Sequence, residues 1–519
     1  MSLPALTRRG AIATGLAGLT VAACSRSGDA PAGLLRVAIG TAPDSLDPAI
    51  GQFASAALIF KQIFTPLTDY SNVLGLAPGL AAEWSSPDNG RMWHFTIPGG
   101  LFWSDGHPLT AADVAWSVRR FLDPATAGGE IGDFFAVENA LAALAGELPL
   151  SDVGVSLLDG GIVEIRLIQP IGHFPLLMQE FYPVPQHAVE AHGAAWIRPE
   201  NFVGSGPFAL ADQGALSYDL VRNEYAIQPA AVPAARIDIV DDAATRARMF
   251  RAGEFDLAEA PPPTQITLLR DQVGDQLMSF PAPKFTYLKV NLRRSPLDQA
   301  VLRRALSLAI DRPFLSEQIM RGVADPTDTI LPTGQAPRFD PDEALRLVTE
   351  AGLTGANRPQ IQLRTMAGDR ERMAVALADD WSRAGIETEL LTTAAVDLYS
   401  AVDGGDFDVA MSHFDRGLKF DGHFLMDPFT QGGFADDSGW FDSPTSENEA
   451  FNAAIGQARE AIQPAQRNRH IDEAERILLD QQIIIPLLHE QAHWLVSDRV
   501  SGLTNGVQPQ IWRALSVGG

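Results

Sequence analysis

Hydrophobic positions along the chain follow the strand period and the helix period in turn. Trp93, Phe95 and Ile97 alternate with more polar neighbours, which predicts a half-buried strand. Helix faces are predicted from apolar residues spaced three or four apart, at Leu302, Ala305, Leu306, Ala309 and Ile310, and again at Met373, Leu377, Trp381 and Ala384. Because strands and helices alternate throughout the chain, the sequence predicts an α/β protein.

Residues 83–123 carry the clearest local signals. Residues 87–90, Pro-Asp-Asn-Gly, predict a turn, since Asn and Gly tolerate positive φ and Pro presets its own φ. Thr110 is predicted to cap a helix, with Asp113 three positions later as its acidic partner. The stretch contains no pair of nucleophile and base, so we interpret it as scaffold.

Length, charge and cysteine content narrow the class of protein. At 519 residues the chain exceeds one typical core, so two or more lobes are expected. The formal net charge of −25 disfavours a nucleic-acid partner, because backbone phosphates would be repelled. Cys24 is the single cysteine, which excludes a disulfide within the chain and a zinc site made of cysteines.

The N-terminus predicts export followed by lipid anchoring. Arg8 and Arg9 precede a small, apolar run from 10 to 23, about the length of a signal-peptide core and too short to span a bilayer. Residues 21–24 resemble a bacterial lipobox, with Cys24 as the lipidated mature N-terminus, and residues 7–9 resemble a twin-arginine signal. We therefore predict an export signal over 1–23, a flexible tether over 24–33 and an envelope or periplasmic lipoprotein that touches the membrane only through its lipid.

Several motifs resemble one known family in their order along the chain. Within residues 83–123 the series E-W, D-N-G, F-x-I and F-W-S-D-G-x-P-L-T-A-x-D-V resembles the oligopeptide, dipeptide and nickel-binding proteins, family 5 of bacterial extracellular solute-binding proteins. The D-S-L-D-P loop ending at 48, the G-S-G-P-F segment at 204–208 and the run from 301 to 312 resemble other segments of that family. The matches extend from near residue 35 to near residue 503.

The resemblance implies a bilobed periplasmic-binding-protein fold of the class II type. It implies a discontinuous first lobe over 34–283 and 486–519, with an extra subdomain near 56–189, and a second lobe over 284–485. It also implies a monomer without cofactor, metal or catalytic residues. Such a protein captures a small-molecule or peptide ligand between its lobes and delivers it to the permease subunits of an ABC importer.

The substrate stays open among peptides, metal complexes, oligosaccharides and opines. In peptide binders of the family, a W-x-x-D after a G-D-x-D strand start supplies the Asp that pairs with the peptide amine. This chain has G-D-F-D at 405–408 but Met-Ser-His-Phe-Asp-Arg at 411–416, without the Trp. That departure leaves a plain peptide assignment open.

Asp415 is the predicted polar anchor of the ligand, and Arg416 is its rival. We predict that the strand from 407 to 411 ends at the cleft, as strands do in α/β lobes that bind ligands. An anchoring Asp415 would require a cationic ligand, whereas an anchoring Arg416 would suit a carboxylate or phosphate. A solvated loop carboxylate is the alternative for Asp415. Further ligand-binding candidates are His413, Phe414, Trp440 and Thr41.

His489 and His493 form a literal H-E-x-x-H with Glu490, which suggests an extracytoplasmic zinc peptidase as an alternative. That chemistry needs a helix to bring both imidazoles to one face. The apolar run at 483–488 contains a Pro and predicts a strand continuing to 496, and neither His nor Glu follows His493 as a third ligand. We therefore predict no metal here. A sensor or chaperone with the same fold is a third possibility.

Overall fold

The computed structural model describes residues 33–70, 75–126, 134–332, 334–415, 422–433, 435–503 and 511–518. Its strands are β1 (Leu34–Ile39), β2 (Thr68–Tyr70), β3 (Leu76–Pro78), β4 (Glu83–Ser85), β5 (Met92–Thr96), β6 (Leu101–Phe102), β7 (Pro108–Leu109), β8 (Val155–Leu158), β9 (Ile162–Arg166), β10 (Phe208–Gln213), β11 (Ser217–Arg222), β12 (Ala234–Ile239), β13 (Leu257–Glu259), β14 (Leu277–Val290), β15 (Ala324–Pro326), β16 (Gln360–Met366), β17 (Glu387–Thr393), β18 (Val409–Asp415), β19 (Ile484–Val496), β20 (Val500–Ser501) and β21 (Ser516–Val517).

The helices lie between these strands, as the sequence pattern predicts. They are α1 (Ala54–Ile63), α2 (Ala111–Phe121), α3 (Ala140–Leu144), α4 (Phe174–Leu177), α5 (Gln186–His192), α6 (Ala243–Arg251), α7 (Ile266–Val273), α8 (Ala300–Leu308), α9 (Arg312–Phe314), α10 (Pro341–Glu350), α11 (Asp369–Arg383), α12 (Ala395–Asp403), α13 (Gly422–Met426), α14 (Ser446–Glu460) and α15 (Pro464–Gln481). None of the helices in the described ranges combines the length and the apolar character needed to cross a membrane.

One large sheet combines strands from the N-terminal and the C-terminal parts of the described chain. Its strand order is β10-β11-β12-β1-β13-β19-β14-β18-β16-β17, with β15 paired to β19 off this path. The strands β12, β1 and β13 are parallel, as are β17, β16 and β18. Between these two parallel groups lie β19 and β14, which are antiparallel to each other.

Two sets of hydrophobic cores divide this sheet into lobes. The first-lobe core packs on β1, β12 and β13 and includes Phe280 of β14 and Trp494 of β19. The second-lobe cores pack on β16 and β18 and include Phe285 of β14 and Leu488 of β19. Both long strands therefore cross from one lobe to the other, β14 between 280 and 285 and β19 between 488 and 494.

The predicted lobe boundaries at 283/284 and 485/486 stay predictions. Leu487 and Leu488 pack in a second-lobe core, which favours a second crossing a few residues after 486.

The extra subdomain has a sheet and a core of its own. Its four strands follow the order β4-β5-β9-β8, and Trp93 and Phe95 of β5 lie in its core, as the alternating pattern predicts. The helix α2 begins after Thr110, whose amide donates a hydrogen bond to Asp113 Oδ2 at 2.9 Å. The predicted capping interaction is thus confirmed, and it fixes where this helix starts.

The strand β18 is longer than the sequence pattern predicts. The strand β18 spans Val409–Asp415, so it does not end at Met411 as predicted, and Asp415 is its last residue and not a loop residue. The strand gains its extra length by pairing along β14 from Val290 to Lys284, a long-range contact that local periodicity does not reveal. The predicted export and lipidation residues Arg8, Arg9 and Cys24 lie outside the described residues.

Candidate functional site

The parallel strands of both lobes point their carboxyl ends at the crossing, the place where β14 and β19 pass from one lobe to the other. In the first lobe, β13 runs from a position opposite Val496 to one opposite Trp494, toward the middle of β19. In the second lobe, β18 runs from a position opposite Val290 to one opposite Lys284, toward the middle of β14. Ligands bind outside the carboxyl ends of parallel strands in α/β sheets, so this crossing is the candidate solute-binding cleft.

The first-lobe edge of the cleft is built around Glu259, the last residue of β13. Its Oε1 accepts a hydrogen bond of 2.6 Å from the amide of Gly40, which directly follows β1. Arg246 donates to the carbonyls of Val240, Asp241, Glu259 and Ala260 and so ties the ends of β12 and β13 together. Thr41, a predicted ligand residue, is exposed at this edge.

Burial changes the electrostatics of that edge. It raises the pKa of Glu259 above its usual value, although the Gly40 amide and the Arg246 guanidinium favour the charged carboxylate. Burial also lowers the pKa of Arg246, whose four carbonyl partners compensate for the loss of water. The edge therefore offers a carboxyl group with little solvation, next to exposed backbone at Thr41.

The centre of the crossing carries an ion pair between the two long strands. Lys284 Nζ of β14 lies 3.2 Å from Glu490 Oε2 of β19, and both side chains are about one-third exposed or less. Thr286 Oγ1 donates to the other oxygen of Glu490 at 3.4 Å. Between Pro281 and Phe285 the register of β14 against β19 shifts, so this pair sits at an irregular point of the ladder.

The second-lobe edge holds the residues that the sequence suggested as ligand contacts. His413 is half-buried, and its Nδ1 lies 3.2 Å from the hydroxyl of Tyr399 on α12. The backbone of Asp415 ends β18 opposite Lys284, which brings it to the crossing. Arg416 lies outside the described residues.

Two of the suggested aromatic residues fill a core in this structure. Phe414 packs against Phe285 and Phe429, with ring centroids 5.7 and 6.2 Å away. Trp440 is 6% exposed and packs against Phe441 and Phe451 in the same second-lobe core. Both rings are part of the second-lobe core, and little of either ring surface is accessible to a solute. Ligand contact by any of the suggested residues remains a prediction.

The H-E-x-x-H lies on β19, so the predicted strand is confirmed. Four residues along a strand separate the two Cα atoms by roughly 13 Å, whereas one helical turn would bring them together. His489 Nε2 lies 3.1 Å from the carbonyl of Thr329, and His493 Nε2 lies 3.2 Å from that of Val323. Burial lowers the pKa of both imidazoles, and each is held by a different backbone carbonyl.

A separate contact joins the extra subdomain to the second lobe. The amide of Gly172 donates to the carbonyl of Arg459 at 2.7 Å, and the His173 ring stands 4.7 Å from that of His423. A Cβ at Gly172 would lie 2.2 Å from the carbonyl oxygen of Ala461, so this position requires glycine for a close approach.

Glu259, Lys284 and Tyr399 lie at the candidate cleft but are not among the residues predicted from the sequence. Glu259 could have been found as the end of the short strand after the G-E-F-D-L segment, since ligand-binding positions follow strand ends. No sequence pattern points to Lys284, because its place depends on where β14 crosses between the lobes. Tyr399 reaches His413 from a helix, and no spacing rule links the two.

The sequence matches the profile of the bacterial extracellular solute-binding proteins, family 5 Middle, over residues 75–437. The chain therefore belongs to this family, as the motif resemblance predicted. Its members are solute-binding proteins, so the protein is a binding protein and not an enzyme.

Curated relatives cover most of the chain. The probable deoxycholate-binding periplasmic protein YgiS of Escherichia coli K12 is 27% identical over 483 residues, which are 89% of this chain and 88% of that protein. The periplasmic murein peptide-binding protein MppA of the same organism is 25% identical over 469 residues, covering 86% and 85%.

Solved structures share the architecture. The unliganded open form of MppA superposes with a TM-score of 0.85 at 23% identity, over 94% of this chain and 98% of that one. HbpA2 of Haemophilus parasuis gives 0.80 at 20% identity, over 93% and 99%. The predicted bilobed periplasmic-binding-protein fold is thereby confirmed.

Proposed function

We propose that this protein captures a peptide or a similar small organic solute between its two lobes and hands it to an ABC importer. The observation that carries the proposal is the convergence of β13 and β18 on the middle of β14 and β19. Both of these long strands cross between the lobe cores, so bending at the crossing closes one lobe over the other. A ligand held by both lobes selects the closed state.

The names of the relatives support a peptide first and a bile acid second. MppA is a murein peptide-binding protein, OppA of Haemophilus influenzae is an oligopeptide-binding protein, and YgiS is a probable deoxycholate-binding protein. The polar groups at the crossing, Glu259, Lys284 and Glu490, suit a solute with charges of both signs, as a peptide has.

Mass spectrometry of ligand released from the purified protein tests the substrate class. We expect short peptides in the released fraction, and we expect a matching synthetic peptide to raise the melting temperature, because ligand at 100 times its Kd stabilises the folded state by about 2.7 kcal/mol. Deoxycholate serves as the comparison. If deoxycholate shifts melting and no peptide does, the peptide assignment is wrong, whereas no shift with any solute contradicts the binding proposal itself.

The proposed ligand anchor is Asp415, with Arg416 as the rival, and we propose Thr41 and His413 as further contacts at the two edges of the candidate cleft. We also propose a discontinuous first lobe over 34–283 and 486–519, with an extra subdomain near 56–189, and a second lobe over 284–485. This arrangement supports a monomer, because each chain supplies both halves of its own cleft.

We further propose that the protein is an exported lipoprotein of the periplasm or cell envelope, anchored at Cys24. The support comes from the lipobox-like residues 21–24, the paired Arg8 and Arg9, and relatives that are periplasmic. Changing Cys24→Ser should move the protein from the membrane fraction to the soluble fraction, while the neighbouring change Ser25→Ala should not. A Cys24→Ser protein that stays with the membrane contradicts lipid anchoring.

A further inference from the structure

Three metal-binding side chains meet on the surface of the extra subdomain. Asp105 and His107 lie in the tight turn between β6 and β7, and His187 lies in the first turn of α5. One ligand atom from each of the three lies within 4.8 Å of those from the other two. Among the residues that the structure describes, no other group of three or more His, Cys, Asp or Glu side chains meets this 4.8 Å limit.

The contacts centre on one carboxylate oxygen. Asp105 Oδ2 lies 2.9 Å from His107 Nδ1 and 2.8 Å from His187 Nε2. The two imidazole rings stack, with centroids 4.3 Å apart and planes inclined by 26°. Donor atoms around a tetrahedral ion with bonds of 2.0–2.2 Å stand roughly 3.3 Å apart, wider than the two contacts to Asp105 Oδ2, so the rings would rotate apart to admit an ion.

Hydrogen bonds of the backbone hold the turn in place independently of the two imidazole rings. The amide of His107 donates to Asp105 Oδ1 at 3.0 Å, and the amide of Trp103 donates to the carbonyl of His107 at 2.9 Å. Ser104 exchanges hydrogen bonds with Gly204 on a neighbouring segment. Two of the three ligands thus come from one rigid turn, and the third comes from a helix that packs beside it.

We propose that Asp105, His107 and His187 bind one divalent transition-metal ion of the zinc type. Two imidazoles and one carboxylate form a donor set that suits Zn²⁺ and its first-row neighbours, whereas Mg²⁺ and Ca²⁺ prefer oxygen ligands. His107 is 62% exposed, so water completes the coordination on the solvent side. The site lies apart from the H-E-x-x-H, whose histidines are on β19.

The charge of the carboxylate also favours a cation. An aspartate side chain is normally ionised at neutral pH, so Asp105 brings a negative charge to this group. Without a metal, the same geometry ties the turn to α5 by hydrogen bonds alone, and the experiment separates these two states.

Calorimetric titration of the untagged, chelator-treated full chain with Zn²⁺ tests the site. We expect one Zn²⁺ per chain in the parent protein and at least tenfold weaker binding in His107→Gln, which alters an exposed turn residue and leaves the backbone contacts intact. The matched control is His192→Gln, an exposed histidine on the same helix as His187, and it should bind Zn²⁺ like the parent. Mg²⁺ and Ca²⁺ at the same concentration should give no heat.

Two results would overturn the proposal. One is the absence of stoichiometric Zn²⁺ binding in the parent protein, which would leave Asp105 and His187 as a hydrogen-bonded pair. The other is equal Zn²⁺ affinity in the parent and in His107→Gln. X-ray absorption of the zinc-loaded protein supplies an independent measurement, with two imidazoles expected in the first coordination sphere of the parent and one in the His107→Gln variant.

Discussion

The guanidinium of Arg120 on α2 donates two hydrogen bonds to the buried carboxylate of Asp47, at 2.9 Å to Oδ1 and 2.5 Å to Oδ2. Trp196 Nε1 donates to the same carboxylate at 3.0 Å, and the amide of Ala49 donates at 3.0 Å. Asp47 belongs to the loop after β1, so this ion pair ties the first lobe to the extra subdomain.

Replacing Asp47 by Ala should therefore destabilise the whole protein. The change leaves the Arg120 charge buried without its partner, which costs roughly 3–5 kcal/mol in comparable buried pairs. Urea unfolding measures the loss. Asp44→Ala is the control, because Asp44 lies in the same loop, is exposed and leaves Arg120 paired. Equal losses in the two variants would show that the ion pair contributes nothing special.

Single alanine variants of Asp415 and Arg416 test the ligand anchor. A charge-assisted hydrogen bond in a closed cleft contributes roughly 1.5–3 kcal/mol, so loss of the anchor weakens binding by more than tenfold. We expect this loss in Asp415→Ala, with an unchanged unfolding midpoint, when the released ligand is titrated into each variant. A loss confined to Arg416→Ala would indicate an anionic group on the ligand, and parent affinity in both would remove this strand end from the site.

Replacing both His489 and His493 by Ala should change ligand affinity by no more than a few fold. Each imidazole contacts a backbone carbonyl from a different position on β19, so we expect the pair to share no metal. Zinc content, measured by mass spectrometry of the intact protein, should be the same in the parent and the double variant. Zinc lost from the double variant but retained in His107→Gln would contradict the assignment of both sites.

The stability of the protein should fall in mild acid through His173. Burial, with the charges of Arg467 and Arg459 and the His423 ring nearby, lowers the pKa of His173 well below its usual range, so the folded protein keeps this ring neutral. The unfolded chain binds a proton there below about pH 6.5, so this contribution to stability is full above that pH and is lost as pH falls below it. The slope reaches about 1.4 kcal/mol per pH unit for one such proton.

Urea unfolding between pH 8 and pH 5 compares the parent with His173→Gln. The variant should lose less stability on acidification than the parent, since Gln takes up no proton in the unfolded chain. His192→Gln, an exposed control, should follow the parent curve. Parallel curves for the parent and His173→Gln would mean that this ring is not the acid-sensitive group.

The sequence by itself determined the features that depend on near neighbours. Thr110 and Asp113 are three residues apart, so the start of α2 could be predicted from the two residue types alone. The alternation at 93–97 predicted both the strand and its buried face, and the Pro within 483–488 indicated that the H-E-x-x-H lies on a strand and not on a helix. Family membership also followed from sequence, since it depends on the order of motifs.

Only the tertiary structure decided which distant residues meet. Asp47 and Arg120 are 73 positions apart, and Asp105 and His187 are 82 positions apart, so neither pair shares a local period. The length of β18 and the place of Lys284 and Glu490 depend on the register of β14 against two partners. Register and packing are set by all the cores together, and for this reason the residues around the cleft emerged from the fold and not from any single stretch of sequence.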